Sequence, residues 1–251
     1  MTVEFHVWRI TNNVSNSRMG MAVNTLQDLD DQVNFDIDVY SEQPDVPNQG
    51  GYNDWDPYIE DLVEHVVDEY GCPSDKEYHM LIINNESPGA GYTYGTVNDN
   101  AGWEKRDPFV HYTEGRCDSY AAAGGVNAAV VAYENSAGVY GGHGDKAFRA
   151  TVLHNAIHGL AHNQESYPAD DCDQSHSKDH SLGKIADIDG DGNDEAVTPA
   201  QMWYTSDYMS NNNPPCDNCD GEPEQNCNDI RLDITSCAES VLNSSADRLN
   251  L

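Results

Sequence analysis

The stretch that decides the fold is residues 146–162, KAFRATVLHNAIHGLAH. Its apolar residues recur at intervals of three and four, which is the period of an amphipathic helix. They are Phe148, Val152, Leu153, Ile157 and Leu160. The pattern therefore predicts a helix over 146–162 with an apolar side and with three histidines spaced four residues apart, His154, His158 and His162.

The residues before this helix alternate between strand and helix patterns. Two runs, 78–84 and 127–133, are almost continuously apolar, which is typical of central strands buried on both faces. Further strands are predicted at 3–10 and 35–40, and helices at 17–33 and 56–70, the last of which ends at Gly71. This alternation predicts the α/β (α+β) fold class.

Beyond residue 165 the composition changes to Asp, Asn, Pro, Ser and Cys, with few apolar residues. We therefore expect an α/β subdomain at 1–165 and an irregular Cys-rich, Asp-rich subdomain at 166–251. The Cys216-x-x-Cys219 pair suits a zinc ribbon, but no aromatic residues accompany it, so disulfides are the favoured interpretation. The seven cysteines are Cys72, Cys117, Cys172, Cys216, Cys219, Cys227 and Cys237.

Disulfides indicate an oxidising compartment, so we expect an extracellular or cell-surface protein. Residues 1–20 lack the layout of a signal peptide, and we expect the export signal to be absent from this chain. No run of about 18 apolar residues occurs, which predicts no membrane span.

The charge is strongly acidic, with 44 Asp and Glu against 12 Lys and Arg and a formal net charge of -32. This balance argues against a nucleic-acid partner, because Lys and Arg supply most of the affinity for phosphates. The acid is spread over a chain with 14 Tyr and several apolar strands, so it coats a folded body. Such a coat is typical of a halophile's protein. The alternative is a mesophilic calcium-binding protein, which would not need an acidic surface throughout.

His154 and His158 are the first candidate metal ligands. Residues four apart on a helix differ by about 40° around its axis and lie roughly 6 Å apart, so both imidazoles can reach one ion. His162 is another turn away, and it reaches the same ion only if the helix breaks at Gly159. The alternative is that these histidines lie on a solvated helix face.

The order of strands and helices, followed by a helix with His154-x-x-x-His158, resembles the zincin zinc metallopeptidases, and more narrowly their metzincin-like branch. The resemblance covers residues 3–162. It implies a twisted mixed sheet, an active-site helix with the signature H-E-x-x-H, and a Glu that acts as general base on zinc-bound water. Here Asn155 occupies the position of that Glu. Segments at 179–183, 198–202 and 235–237 also look similar to exported zincin-like proteins of halophilic archaea.

An amide cannot accept a proton near neutral pH, so Asn155 removes the expected base. The chain is then a natural pseudopeptidase, an engineered inactive variant, or an enzyme in which another carboxylate such as Glu165 substitutes.

The third zinc ligand is left open by the sequence. The longer metzincin signature is H-E-x-x-H-x-x-G-x-x-H. Aligned on His154 and His158, it places Ala161 at its Gly and Gln164 at its third His, so the longer signature does not fit. His180 is our choice, because a ligand from the second subdomain would close a cleft around the zinc; His162 and His176 are the alternatives. Met202 or Met209 would then be candidates for a methionine turn, and a core methionine is an equal alternative for each.

Residues 187–195, DIDGDGNDE, form a second candidate metal site. Carboxylates at positions 1, 3 and 5 with Gly at position 6 match the first half of a calcium loop. Position 12 is Thr198 instead of Glu, so the loop is not a complete EF-hand, and an acidic solvated turn is the alternative. The calcium ligands would be Asp187, Asp189, Asp191 and Asn193.

Two classes of function follow from these patterns. The first is a secreted zinc peptidase, inactive or weakened by Asn155, that binds peptides between the subdomains. The second is an extracellular structural or interaction protein that keeps the zincin body and binds a protein partner. Zn²⁺ is the expected cofactor of either, with Ca²⁺ as a further ion.

The charge yields a test of the halophilic interpretation. We expect cooperative folding in molar KCl or NaCl and loss of tertiary structure on dialysis to about 0.1 M salt, because the Debye length then rises from about 3 Å to about 10 Å. Near-UV circular dichroism measures this loss. Full retention of the near-UV signal at low salt would contradict the halophilic interpretation.

Overall fold

The computed structural model describes residues 2–11, 14–47, 56–73, 77–84, 91–95, 108–113, 116–117, 127–133, 144–161, 185–186, 196–197 and 229–248. The strands are β1 (Thr2–Arg9), β2 (Asp36–Ser41), β3 (Glu77–Asn84), β4 (Gly91–Gly95), β5 (Asn127–Tyr133), β6 (Ile185–Ala186), β7 (Ala196–Val197) and β8 (Asp229–Ile230). The helices are α1 (Asn16–Asp30), α2 (Asp56–Tyr70), α3 (Pro108–Tyr112), α4 (Gly144–Ala161) and α5 (Ser236–Arg248). This combination confirms the α+β class.

The main sheet is mixed and has five strands in the order β2-β1-β3-β5-β4. Strands β2, β1, β3 and β5 are parallel, and β4 runs antiparallel to β5. The central strands β3 and β5 are the two continuous apolar runs, which suits strands covered on both faces. A second sheet joins the short strands in the order β6-β7-β8.

Helices cover both faces of the main sheet. On one face the rings of Phe5 and Tyr78 stack at 4.7 Å, and the Tyr78 hydroxyl donates to a carbonyl of α4. On the other face Trp8 meets Tyr70 of α2, and His79 meets Phe109 of α3. Because strand residues alternate between faces, α4 and the pair α2 and α3 lie on opposite sides of the sheet.

Helix α4 lies unusually close to strand β3. A Cβ atom on Gly159 would stand 2.7 Å from Cζ and 2.8 Å from Oη of Tyr78. Tyr78 is itself 1% exposed, so its ring has no free space to move into. A glycine at position 159 is therefore what allows the helix backbone to rest on the tyrosine ring.

Two parts of the fold differ from the sequence prediction. The segment from 87 to 125, for which no element is predicted, contains β4 and α3. Residues 236–248, expected to be irregular, form helix α5 and belong to the same hydrophobic core as the sheet. Four apolar residues on one side of α5 are enough for this: Ala238, Val241, Leu242 and Ala246.

The one disulfide among the described residues joins Cys72 to Cys117. It connects the end of α2 with the segment after α3, so it does not fasten the C-terminal region where most cysteines lie. Cys237 is in α5, and the remaining cysteines, Cys172, Cys216, Cys219 and Cys227, fall outside the described residues.

A smaller expectation is met at the end of α2. Helix α2 stops where the sequence indicates, at Gly71, whose φ of 86° is a left-handed value that glycine adopts without strain. Within the described part of the chain, no helix has the length and apolar character needed to cross a bilayer.

The close approach of α4 and β3 predicts opposite effects for two Gly→Ala changes. Gly159→Ala should lower the free energy of unfolding by about 1–3 kcal/mol, because the added methyl group collides with the buried Tyr78 ring. Gly20→Ala, in the exposed part of α1 with no atom within 4 Å of the added Cβ, should raise it by about 0.5–1 kcal/mol. Denaturant unfolding in molar salt measures both. Equal effects of the two substitutions would contradict the contact.

Candidate metal centre on helix α4

Helix α4 is held on α1 by charged contacts. The Arg149 guanidinium donates to Asp28 at 2.6 Å and to the Thr25 hydroxyl at 3.0 Å. Arg18 of α1 forms an ion pair with Asp145 in the first turn of α4. These contacts fix which side of α4 faces α1, and therefore which side faces away from it.

The predicted zinc ligands occupy the side of α4 away from α1. At 3.6 residues per turn, positions 154 and 158 lie about 140° and 180° around the helix from Arg149. His154 is 8% exposed, so it is mostly covered by the protein. His158 lies on α4 one turn later, and its side chain is outside the described part of the structure.

This donor set fits zinc as far as the structure describes it. Two imidazoles four residues apart on one helix are a common half of a zinc centre, and neutral imidazole is a good zinc ligand. His154 and His158 would hold the ion. A third donor is needed, and His180, with its alternatives His162 and His176, falls outside the described residues.

Asn155 is the best-defined residue of the candidate centre. It is 1% exposed, and its side-chain amide donates a hydrogen bond of 2.8 Å to the carbonyl oxygen of Thr151. The backbone carbonyl oxygen of Asn155 accepts a hydrogen bond from the Tyr78 hydroxyl. Asn155 is therefore tied to the backbone of α4 and, through Tyr78, to the sheet.

The chemistry available at position 155 follows from these contacts. An amide nitrogen that donates to a carbonyl cannot take a proton from water, and the Asn155 oxygen is a very weak base. A carboxylate at position 155 would lose the donated hydrogen bond and place an acceptor near the Thr151 carbonyl. The position is thus arranged for an amide.

An antiparallel edge strand lies beside the candidate centre. Helix α4 packs against both β4 and β5. Among the described strands, β4 is paired on one side only, with β5. An extended peptide can add to such an edge through main-chain hydrogen bonds. The geometry therefore offers an edge for an extended peptide on a strand that packs against the helix carrying His154 and Asn155.

The predicted calcium loop lies between two strands that the structure describes. Strands β6 and β7 pair antiparallel, with Ile185 opposite Val197 and Ala186 opposite Ala196. The segment 187–195 therefore connects the two strands of a hairpin. Its four predicted ligands lie outside the described residues: Asp187, Asp189, Asp191 and Asn193. The calcium site stays a prediction, as do the roles of Glu165, Met202 and Met209.

Sequence reasoning did not identify Tyr78 and Gly159 as parts of this centre. Gly159 had a visible signal, because glycine inside a helix costs about 1 kcal/mol relative to alanine and so indicates a close approach. Tyr78 had none, since any large residue at the start of a buried strand fits that pattern.

The comparisons with known proteins add no relative. No protein-family model matches the chain, and neither a search of curated proteins nor a search of solved structures finds a match.

Proposed function

We propose that this protein is a zincin-like pseudopeptidase, which binds zinc and an extended peptide or protein segment without cleaving it. The observation that carries the proposal is the state of Asn155. At the position of the catalytic glutamate, the chain has a buried amide that is hydrogen-bonded to the backbone of its own helix. An amide cannot act as the general base that the catalytic glutamate supplies.

The order of elements supports the zincin-like part of the proposal. The predicted series of strand, helix, strand, helix and strand precedes the histidine-bearing helix, and the sheet is mixed as the resemblance implies. Helix α4 follows strand β5 and rests on the sheet through Gly159. The helix that carries His154 and His158 also packs against β4, the edge strand of the sheet.

Zinc at this centre would act as a Lewis acid that polarises a bound carbonyl or water. The chain's own residues have separate tasks. His154 and His158 hold the ion, the β4 edge aligns the bound segment, and Asn155 and Tyr78 keep α4 seated on the sheet. In the absence of a base, a peptide in this place is held and not hydrolysed.

The surroundings support a place outside the cell. The Cys72–Cys117 disulfide suits an oxidising compartment, and the net charge of -32 suits a solution of high ionic strength. We therefore propose an extracellular or cell-surface protein of a halophile whose partner is another protein of that exterior.

The zinc part of the proposal is tested by histidine substitution. We expect His154→Ala to remove one equivalent of tightly bound zinc per chain, because half of the helical donor pair is lost. His162→Ala makes the same change eight residues after His154 and is the control. It should leave that zinc in place. Metal analysis after gel filtration measures the stoichiometry. If the two variants hold equal amounts of zinc, the assignment to α4 is wrong.

The missing base is tested by a matched pair of variants at position 155. Asn155→Glu and Asn155→Gln add the same methylene, but only Gln keeps an amide that donates to Thr151. We expect the wild-type chain and Asn155→Gln to show no zinc-dependent hydrolysis of peptides, because neither has a base at position 155. We also expect Asn155→Glu to lower the free energy of unfolding by about 1–3 kcal/mol more than Asn155→Gln, because a buried carboxylate cannot donate to the Thr151 carbonyl and loses its own hydration.

Peptide cleavage assays in molar salt and denaturant unfolding decide the outcome. Hydrolysis by Asn155→Glu but not by Asn155→Gln would show a peptidase that lacks only its base. Hydrolysis by the wild-type chain would show that a different carboxylate serves, and Glu165 would be the first to replace.

A further inference from the structure

A second group of metal-ligating side chains lies on the opposite face of the sheet from α4. Strands β1 and β3 are parallel neighbours, and their register places Glu4 beside Glu77 and His6 beside His79. The imidazole rings of His6 and His79 stack at 4.9 Å. The ligand atoms of Glu4, His6 and Glu77 all lie within 4.8 Å of one another.

His6 has one ring nitrogen satisfied and one without a hydrogen bond. Its Nδ1 is 2.7 Å from Oε1 of Glu42, and since a carboxylate only accepts, Nδ1 is the protonated nitrogen. Its Nε2 is buried and has no hydrogen-bond partner. In the neutral ring, that Nε2 therefore presents a lone pair.

The lone pair of His6 faces two carboxylates. Nε2 is 3.6 Å from Oε2 of Glu4 and 3.8 Å from Oε2 of Glu77. A lone pair and two anions repel one another unless a cation lies between them. The two candidates for that cation are a proton on Nε2 and a metal ion.

The distances favour the metal ion. A proton shared with either carboxylate would draw nitrogen and oxygen to about 2.7–3.2 Å, which is shorter than both observed separations. Two ligands of one tetrahedral zinc ion, each about 2.0–2.1 Å from the metal, lie about 3.3 Å apart. A small inward movement of the two carboxylates reaches that geometry.

Glu77 is oriented by a fixed hydrogen-bond relay. The Trp8 Nε1–H group donates to Nδ1 of His79 at 3.2 Å, and indole nitrogen can only donate. The His79 proton is therefore on Nε2, which donates to Oε2 of Glu77 at 3.2 Å.

We propose that Glu4, His6 and Glu77 form a binding site for a divalent transition metal ion of the zinc class. Glu42 orients His6, and His79 orients Glu77, as carboxylates and hydrogen-bond donors commonly orient the ligands of metal sites. The imidazole donor favours Zn²⁺ or Co²⁺ over Ca²⁺ and Mg²⁺, which take oxygen ligands. Glu4 is 43% exposed, so water reaches the remaining coordination position.

Cobalt is the probe for this site, because tetrahedral Co²⁺ absorbs visible light and substitutes for Zn²⁺. The full chain, stripped of metal, is titrated with Co²⁺ in molar KCl. His6→Ala and Glu77→Gln should weaken cobalt binding at this site at least about 100-fold. Glu42→Gln should weaken it about 10- to 100-fold without changing the shape of the spectrum, because only the orientation of His6 is disturbed.

Two controls separate this site from others. Glu60→Gln removes an exposed carboxylate of α2 and should leave the titration unchanged. His154→Ala removes a ligand of the centre on α4 and should leave the cobalt held by His6 in place, so the two sites fail independently. If His6→Ala and Glu77→Gln titrate like Glu60→Gln, the proposed site is wrong.

A measurement on the unaltered chain covers the case in which a variant does not fold. In ¹⁵N-histidine spectra of the wild-type protein, Zn²⁺ should shift the Nε2 signal of His6 while Nδ1 keeps its proton. An unchanged His6 ring at saturating Zn²⁺ would overturn the proposal. The proposal would also be overturned if Ca²⁺ displaced Co²⁺ as effectively as Zn²⁺ does. Such a result would show that the cation is attracted to acidic groups in general.

Discussion

The contact between Tyr78 and Gly159 is the constraint on which the rest of the structure depends. It sets the distance between α4 and the sheet, because the glycine has no Cβ and the tyrosine ring is buried. The Tyr78 hydroxyl then binds the Asn155 carbonyl, which fixes the helix along its axis as well. The side of α4 on which each position lies, including positions 154 and 158, follows from this placement.

Strand β3 links the two proposed metal sites through three consecutive residues. Tyr78 points to the face that carries α4, whereas Glu77 and His79 point to the face that carries α2 and α3. This division needs only the two-residue period of a strand. The same Glu-aromatic-His order occurs at residues 4–6 of β1, in register with 77–79 of β3. One strand pairing thus positions an aromatic stack on one face and a histidine stack on the other.

The sequence predicted the elements that have a strong local signal. Helix α2 and strand β5 have the predicted bounds, because the apolar period of the first and the continuous apolar run of the second are both unambiguous. Strand β4, with the sequence GYTYG, was missed because two glycines weaken any strand pattern. Helix α5 was missed because its four buried residues are spread among Ser, Asn and Asp.

The sites were predictable only in part. The spacing of His154 and His158 is a local property, and the sequence contains it. The burial of Asn155 is not local, because it depends on which side of α4 the sheet takes. The cluster of Glu4, His6 and Glu77 depends on the pairing of β1 with β3, which joins residues more than 70 positions apart. No pattern within one segment carries such information.

Helix α5 has a consequence for how the protein is made. It supplies buried residues to the core around α4. It is also tied to the region after α1: the Ile234 N–H, just before α5, donates to the Gln32 side-chain oxygen, and the side-chain oxygen of Asn243 in α5 accepts from the Asn34 N–H. While the ribosome is still synthesising residues 236–248, one side of α4 has no cover and its apolar groups remain in contact with water. The native core around α4 can therefore close only after residues 236–248 have been synthesised.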